Sequence, residues 1–130
     1  MSLVDEAVAE FGRSIGMERL ALRDNGSLLL DMQALGRLAI ELIGEQREDV
    51  SLSLIRQVQT PDEKGCERVL ELCHYRAPAP FPVRAGLTSQ GQLVFAVRMD
   101  TSQFTVPNIH QALQWITSLQ DQSSSFLRAA

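Results

Sequence analysis

Cys73 and His74 are the neighbours in this chain that most resemble a thiol or metal site. A thiolate and an imidazole can hold zinc or form an activated nucleophile, but only if both side chains reach one point. Adjacent positions of a helix point about 100° apart, so the pair cannot share a metal from there. A small buried thiol and a helix-end imidazole fit better. Cys66 precedes Cys73 on the same stretch. On one helix the two are separated by about 10.5 Å of rise, beyond the roughly 7 Å between Cα atoms that a disulfide spans. His110 lies far away in sequence. The acidic pairs Asp5/Glu6, Glu48/Asp49 and Asp62/Glu63 fall at helix starts or in a loop. There a carboxylate complements the helix dipole or stays solvated, and no partner group makes any of them a general acid or base. No Gly-rich phosphate loop and no Gly-x-Ser-x-Gly elbow occurs. The residues nominate no catalytic centre, no cofactor and no metal.

The elements around these residues are clearer. The segments 81–88 (FPVRAGLT) and 92–100 (QLVFAVRMD) alternate. Phe81, Val83, Ala85 and Leu87 share one face of the first, and Leu93, Phe95, Val97 and Met99 one face of the second. With turn chemistry at 89–91 they read as an antiparallel hairpin. The period then changes from two to 3.6. Ile109, Ala112, Leu113, Ile116 and Leu119 form one stripe of a helix that starts near Thr105, with Pro107 in its first turn. A hairpin with one apolar face followed by such a helix is a sheet and its cover.

Residues 2–15 read as the first helix, apolar at Val4, Ala7, Val8, Phe11 and Ile15. Ser2 is placed to cap it and Gly16 to end it. Asp24-Asn25-Gly26 is a turn. Strands follow at 27–32, 37–43 and 50–58, with Leu28, Leu30 and Met32, then Leu38, Ile40 and Leu42, then Val50, Leu52 and Leu54 on their inner faces. Short turns between them imply an antiparallel meander. Thr60 and Pro61 open a second helix over 60–75, with Glu63 completing a capping box. Its apolar set is Cys66, Val69, Leu70 and Cys73, a stripe wider than one packing contact requires. Residues 77–82 (APAPFP) are a stiff connector, and residues 123–130 a frayed tail. The whole of 1–130 is one domain in the order α-β-β-β-α-β-β-α. Its fold class is α+β, with one five-stranded antiparallel sheet packed by helices.

Composition narrows the partners. The net charge is −4, and the scattered arginines with a single lysine, Lys64, offer no clustered basic footprint for nucleic acid. No apolar run approaches the roughly 20 residues of a membrane helix, and the acidic N-terminus carries no secretory signal. The expected location is the cytoplasm. Leu29, Ile43, Ile55 and Val94 fall opposite the inner apolar sets. Unless helices cover both faces, they make an exposed patch of the kind that takes a partner. Trp115, the only Trp, lies at the edge of the last helix's stripe, as core packing or as an interface anchor.

This order of elements, and above all the run PVRAGLTSQGQLVFAVRMDTSQFTVPNIHQALQWITSLQ at 82–120, resembles the class I type III secretion chaperones, the CesT/SycE-like family. The likeness is closest to its SycN branch, which pairs with a second chaperone to handle the secretion gatekeeper. It implies a non-catalytic, dimeric, cytoplasmic protein of a Gram-negative bacterium. Such a protein binds the extended N-terminal segment of a secreted effector or gatekeeper and keeps it fit for secretion, without a cofactor. It further implies a dimer interface, as a homodimer or with a second chaperone, from Cys66, Val69, Leu70 and Cys73 with Phe81 and Val83. Client contact would come from Leu20, Leu22, Leu29, Ile43 and Ile55, aided by backbone pairing at a sheet edge. The rivals are a small dimeric scaffold or regulatory module, and a hot-dog thioesterase. The second would wrap its sheet around one central helix and need a carboxylate that this chain does not nominate.

Overall fold

The computed structural model describes residues 3–33, 35–58, 63–72, 81–88 and 90–123, with the backbone alone for 63–66 and 72. The expected caps at Ser2 and Thr60-Pro61, Cys73, His74, the 77–80 part of the connector and the tail from 124 onward lie outside the described residues. So does the side chain of Cys66.

The first helix, α1, runs Leu3–Ser14. Gly16 ends it in the left-handed region at φ +81°. Its N–H donates to the Arg13 carbonyl, and the Met17 N–H reaches back to the Gly12 carbonyl at 2.7 Å. These are the paired bonds of a Schellman motif, which satisfy carbonyls the helix leaves open. Val4, Ala7, Val8 and Phe11 are buried along its apolar face.

Three strands follow: β1 at Ser27–Asp31, β2 at Arg37–Ile43 and β3 at Asp49–Gln57. Helix α2 spans Glu63–Leu72. Strand β4 covers Val83–Leu87, β5 Gln92–Asp100, and α3 Val106–Ser123. The sheet has the order β1-β2-β3-β5-β4, antiparallel throughout. The meander and the hairpin are therefore joined by the β3–β5 pairing, in which Val50, Leu52 and Leu54 stand opposite Met99, Val97 and Phe95. All six are buried, with Leu38 and Ile40 beside them. Helix α3 lies against β3 and β5 and meets α1 and α2. It supplies Ile109, Ala112, Leu113, Ile116 and Leu119, all buried.

Several bounds shift by a residue or two, and two local features have a clear physical reason. Strand β4 begins at Val83 rather than Phe81. The Thr88 N–H bonds to Gln92, so even-numbered residues of β4 turn their backbone groups toward β5. Pro82 falls at such a position without an N–H to give, and the ladder stops there. Between β5 and α3, Thr101–Gln103 form one 3₁₀ turn. The Asp100 carboxylate accepts the Ser102 N–H at 2.8 Å, and the Gln103 side chain accepts the Asp100 N–H at 3.1 Å. This reciprocal box turns the chain at the end of β5 and buries Phe104 behind it.

A candidate client-binding surface

Register sorts the apolar residues between two faces. Cross-strand partners share a face. Leu29 pairs with Ala39, Ala39 with Ser53, and Ser53 with Ala96. Ile55 stands opposite Arg37 on one side and Val94 on the other, and Ile43 opposite Asp49. All of these lie on the face away from α1 and α3. Leu29, Ile43, Ile55 and Val94 belong neither to the core nor to the residues packed on it. Leu29 is 49% exposed; the other three are half-buried by their neighbours on the sheet. Small residues, Ala39, Ser53 and Ala96, form a low row across the centre. Aliphatic and arginine side chains rise around it.

Two hollows open at the ends of this face. One, of about 420 Å³, includes Ile43, Ser51, Ala96, Arg84 and Arg98 in its lining. The other, of about 320 Å³, includes Asp31, Gly36, Arg37, Ile55 and Arg56. At the first hollow the Arg98 guanidinium donates to one Asp49 oxygen through Nε at 2.8 Å and Nη2 at 2.6 Å. A groove of about 600 Å³ lies beyond the β1–β2 end of the sheet, with Leu22, Leu42, Val4, Arg23 and Arg47 among its lining residues.

The edges differ. The bonds Leu42 N–H to Gly26 carbonyl and Met32 N–H to Gly36 carbonyl put the paired positions of β1 at even numbers. Its odd-numbered residues therefore turn their N–H and C=O outward. Ser27 is already engaged: its carbonyl accepts the Arg23 N–H at 2.8 Å, and its N–H donates to the Asn25 side chain at 3.0 Å. Leu29 and Asp31 have no backbone partner on that side among the described residues. By the same parity β4 turns the backbone groups of Val83, Ala85 and Leu87 outward.

The residues expected to contact a client thus separate. Leu29, Ile43 and Ile55 share the outer face. Leu22 lines the groove beside α1. Leu20 is only 8% exposed, in the core. A Cβ on Gly12 would come within 2.6 Å of the Leu20 Cβ, so the glycine lets the loop pack its leucine onto α1 instead of presenting it. Of the residues expected at a dimer interface, Val69 is likewise buried in this chain's own core, whereas Leu70 is 65% exposed. Phe81 and Val83 are half-buried against the core at the β4 edge, as is Trp115. Among the described residues the buried Trp115 indole N–H has no hydrogen-bond partner.

Residues with chemical potential do not converge. Among the described residues no three His, Cys, Asp or Glu side chains gather to hold a metal, and no helix is long and apolar enough to cross a membrane. His110 is exposed, with its ring against Phe11. Ser14 Oγ donates to the Phe11 carbonyl at 2.6 Å, so the 2.9 Å contact with His110 makes Nε2 the donor to that hydroxyl. Sequence reasoning missed the polar groups that brace the sheet. Gln120 is 2% exposed, and its amide donates to the Leu54 and Leu93 carbonyls at 2.8 and 3.0 Å. The signal available was a glutamine beside Leu119, on the flank of the apolar stripe.

Residues 3–124 match the family model described as Type III secretory system chaperone SycN. The chain belongs to this family. No curated protein sequence matches it. Solved structures share its fold at low identity. The ExsC–ExsE complex contains a chain with TM-score 0.77 and 17% identity, covering 98% of this chain and 96% of that one. The Yersinia pestis type III secretion chaperone SycH, solved with a stable fragment of YscM2, gives 0.69 and 13%, covering 95% and 98%. The heterodimeric ExoU–SpcU complex of Pseudomonas aeruginosa gives 0.68 and 14%, covering 95% and 97%.

Proposed function

We propose that this chain is a non-catalytic cytoplasmic chaperone that holds the extended N-terminal segment of a type III secreted effector or gatekeeper protein. The observation that carries this reading is the aliphatic outer face, with Leu29, Ile43, Ile55 and Val94 in register and outside the core. Aliphatic groups on adjacent strands favour a partner with apolar side chains. The outward backbone groups of Leu29 and Asp31 offer an extended segment the hydrogen bonds that unfolded chain must otherwise leave to water. Binding alone holds the client out of aggregation, since any partner selective for the extended state shifts that equilibrium by mass action. Membership of a secretion chaperone family supports the same reading, as do fold relatives solved with an effector or protein fragment.

Dimerisation is part of the proposal. Leu70 on α2, and Phe81 and Val83 at the β4 edge, form the surface offered to a second copy or to a different chaperone.

Co-expression with N-terminal fragments of secretion substrates, followed by size-exclusion chromatography with light scattering, tests both parts. The expected result is a complex of two chaperone chains with one fragment. Retention of no fragment, with and without a candidate partner chaperone, sinks the chaperone reading in favour of a scaffold.

A further inference from the structure

Strand β1 is the least anchored strand that carries the proposed client surface. It is five residues long, lies at an edge, and has no fully buried residue. Its place depends on β2 and on the turn that joins them. A one-residue slip there would exchange Leu29 with Leu28 or Leu30 between the two faces.

One side chain ties that turn down. Arg56 stands opposite Leu93 on the inner side of the sheet, at the end of β3. Its Nε donates to the Leu35 carbonyl at 2.6 Å, and its Nη1 to Asp121 on α3 at 2.7 Å. The turn is pressed closely onto this point. Gly36 has φ +119°, and a Cβ there would lie 2.6 Å from the Ile55 carbonyl oxygen and 2.9 Å from Arg56 Cγ. The helix end that Arg56 uses is itself fixed. Gln120, next to Asp121, inserts its amide between the carbonyls of Leu54 and Leu93. A guanidinium suits this task because its donors form a rigid planar fork, whereas an ammonium is a single point. The Arg56 side chain is only 21% exposed, against 65% for Asp121. The Leu35 bond is therefore the better shielded of its two contacts.

We propose that Arg56 is a positioning residue: it bolts the β1–β2 turn to β3 and the end of α3, and so sets where Leu29 and Arg37 stand on the outer face. The link to client binding rests on the chaperone reading. The positioning itself does not.

Amide hydrogen exchange on the full chain separates the two. The ladder amides of Leu28, Leu30, Leu38 and Ile40 report on the hairpin, and those of Leu54 and Phe95 on the sheet centre. Replacing Arg56→Met keeps the stem and removes every donor. Loss of a charge-assisted bond should speed hairpin exchange about tenfold relative to the centre. Arg56→Lys, with one ammonium for two partners, should fall between parent and Met. Asp121→Ala, which leaves the Leu35 bond, should move the hairpin less than Arg56→Met. Unchanged hairpin exchange, or equal acceleration of hairpin and centre, overturns the proposal. If Arg56→Met does not fold, the Lys and Asp121→Ala variants decide by the same ratio.

The second arm uses the N-terminal fragment retained in the co-expression experiment. Its affinity should fall in Arg56→Met, by at most about tenfold, the limit set by one lost charge-assisted bond. A Val8→Ala variant matched in stability should leave it unchanged. Equal affinity in parent and Arg56→Met overturns the link to the client surface. If the parent retains no fragment, the chaperone reading fails and the exchange ratio alone judges Arg56.

Discussion

Ile40 and Ile55 sit on neighbouring strands of one sheet and face opposite surroundings. Ile40 is fully buried, between Leu28 on β1 and Leu52 on β3. Ile55 lies between Arg37 and Val94 on the outer face. The inner face is mainly large and apolar, so its buried side chains are held by close packing. The outer face mixes aliphatic groups with a low row of Ala and Ser, and with arginines and carboxylates. Such a surface stays soluble yet still rewards an apolar partner. The contrast teaches that one sheet can carry the core of the fold on one side while the aliphatic residues of the other stay outside it.

The sharpest way to break this contrast is a matched pair of truncations. Ile40→Ala should cost about 2–5 kcal/mol, as for aliphatic side chains removed from a core. Ile55→Ala should cost less than about 1 kcal/mol, as for a site away from the core. Urea unfolding of both variants measures the difference, and equal losses would erase the distinction between the faces. Gly36→Ala comes next. A side chain at φ +119° against the Ile55 carbonyl should cost about 1–3 kcal/mol, read as a lowered denaturation midpoint.

Ile55→Asp sharpens the comparison from the binding side. Stability should fall by about 1 kcal/mol, as for a strand-disfavouring residue at a half-buried site, while retention of a secretion-substrate fragment in pull-down is lost. A variant that still retains the fragment would move the client off this face. Asp49→Ala removes the partly exposed pair with Arg98. At most about 1 kcal/mol should be lost, and less at high salt; thermal melts at two ionic strengths check this.

The smallest effect concerns Asp100. The bond from the Ser102 N–H, and then that from the Ser102 hydroxyl, lower its pKa below the ordinary carboxylate value. Its folded pKa is therefore below the unfolded one. The stability it contributes is complete above the unfolded value and is lost as pH falls through the folded one. Asp100→Asn should flatten that acid limb in a pH series of melts and lower stability slightly at neutral pH, where the carboxylate's contribution is complete.

Much of this was legible in the residues. Alternation placed Leu38, Ile40, Val50, Leu52, Leu54, Phe95 and Val97 inside, and the helical stripe from Ile109 to Leu119 is buried as read. Gly16 and Asn25-Gly26 stop and turn the chain because backbone sterics at those positions are local. The faces of Leu29, Ile43, Ile55 and Val94 also followed from period two. The burial of Leu20 was not legible, because it depends on a glycine eight positions earlier, in another element. Arg56 and Gln120 were missed for a similar reason. Their partners lie 21 to 66 residues away, and a long polar side chain carries no periodic mark of whether it is braced or solvated.

By itself, then, the sequence determined the elements, their inward faces and the resemblance to a secretion chaperone family, because these rest on periodicity and on turn residues that act over a few positions. Only the tertiary structure decided that β3 pairs with β5, that Arg56 joins the first hairpin to the last helix, and that the outer face lies outside the core. Those depend on which distant surfaces meet, and that is settled by burying the inner faces together rather than by any local preference.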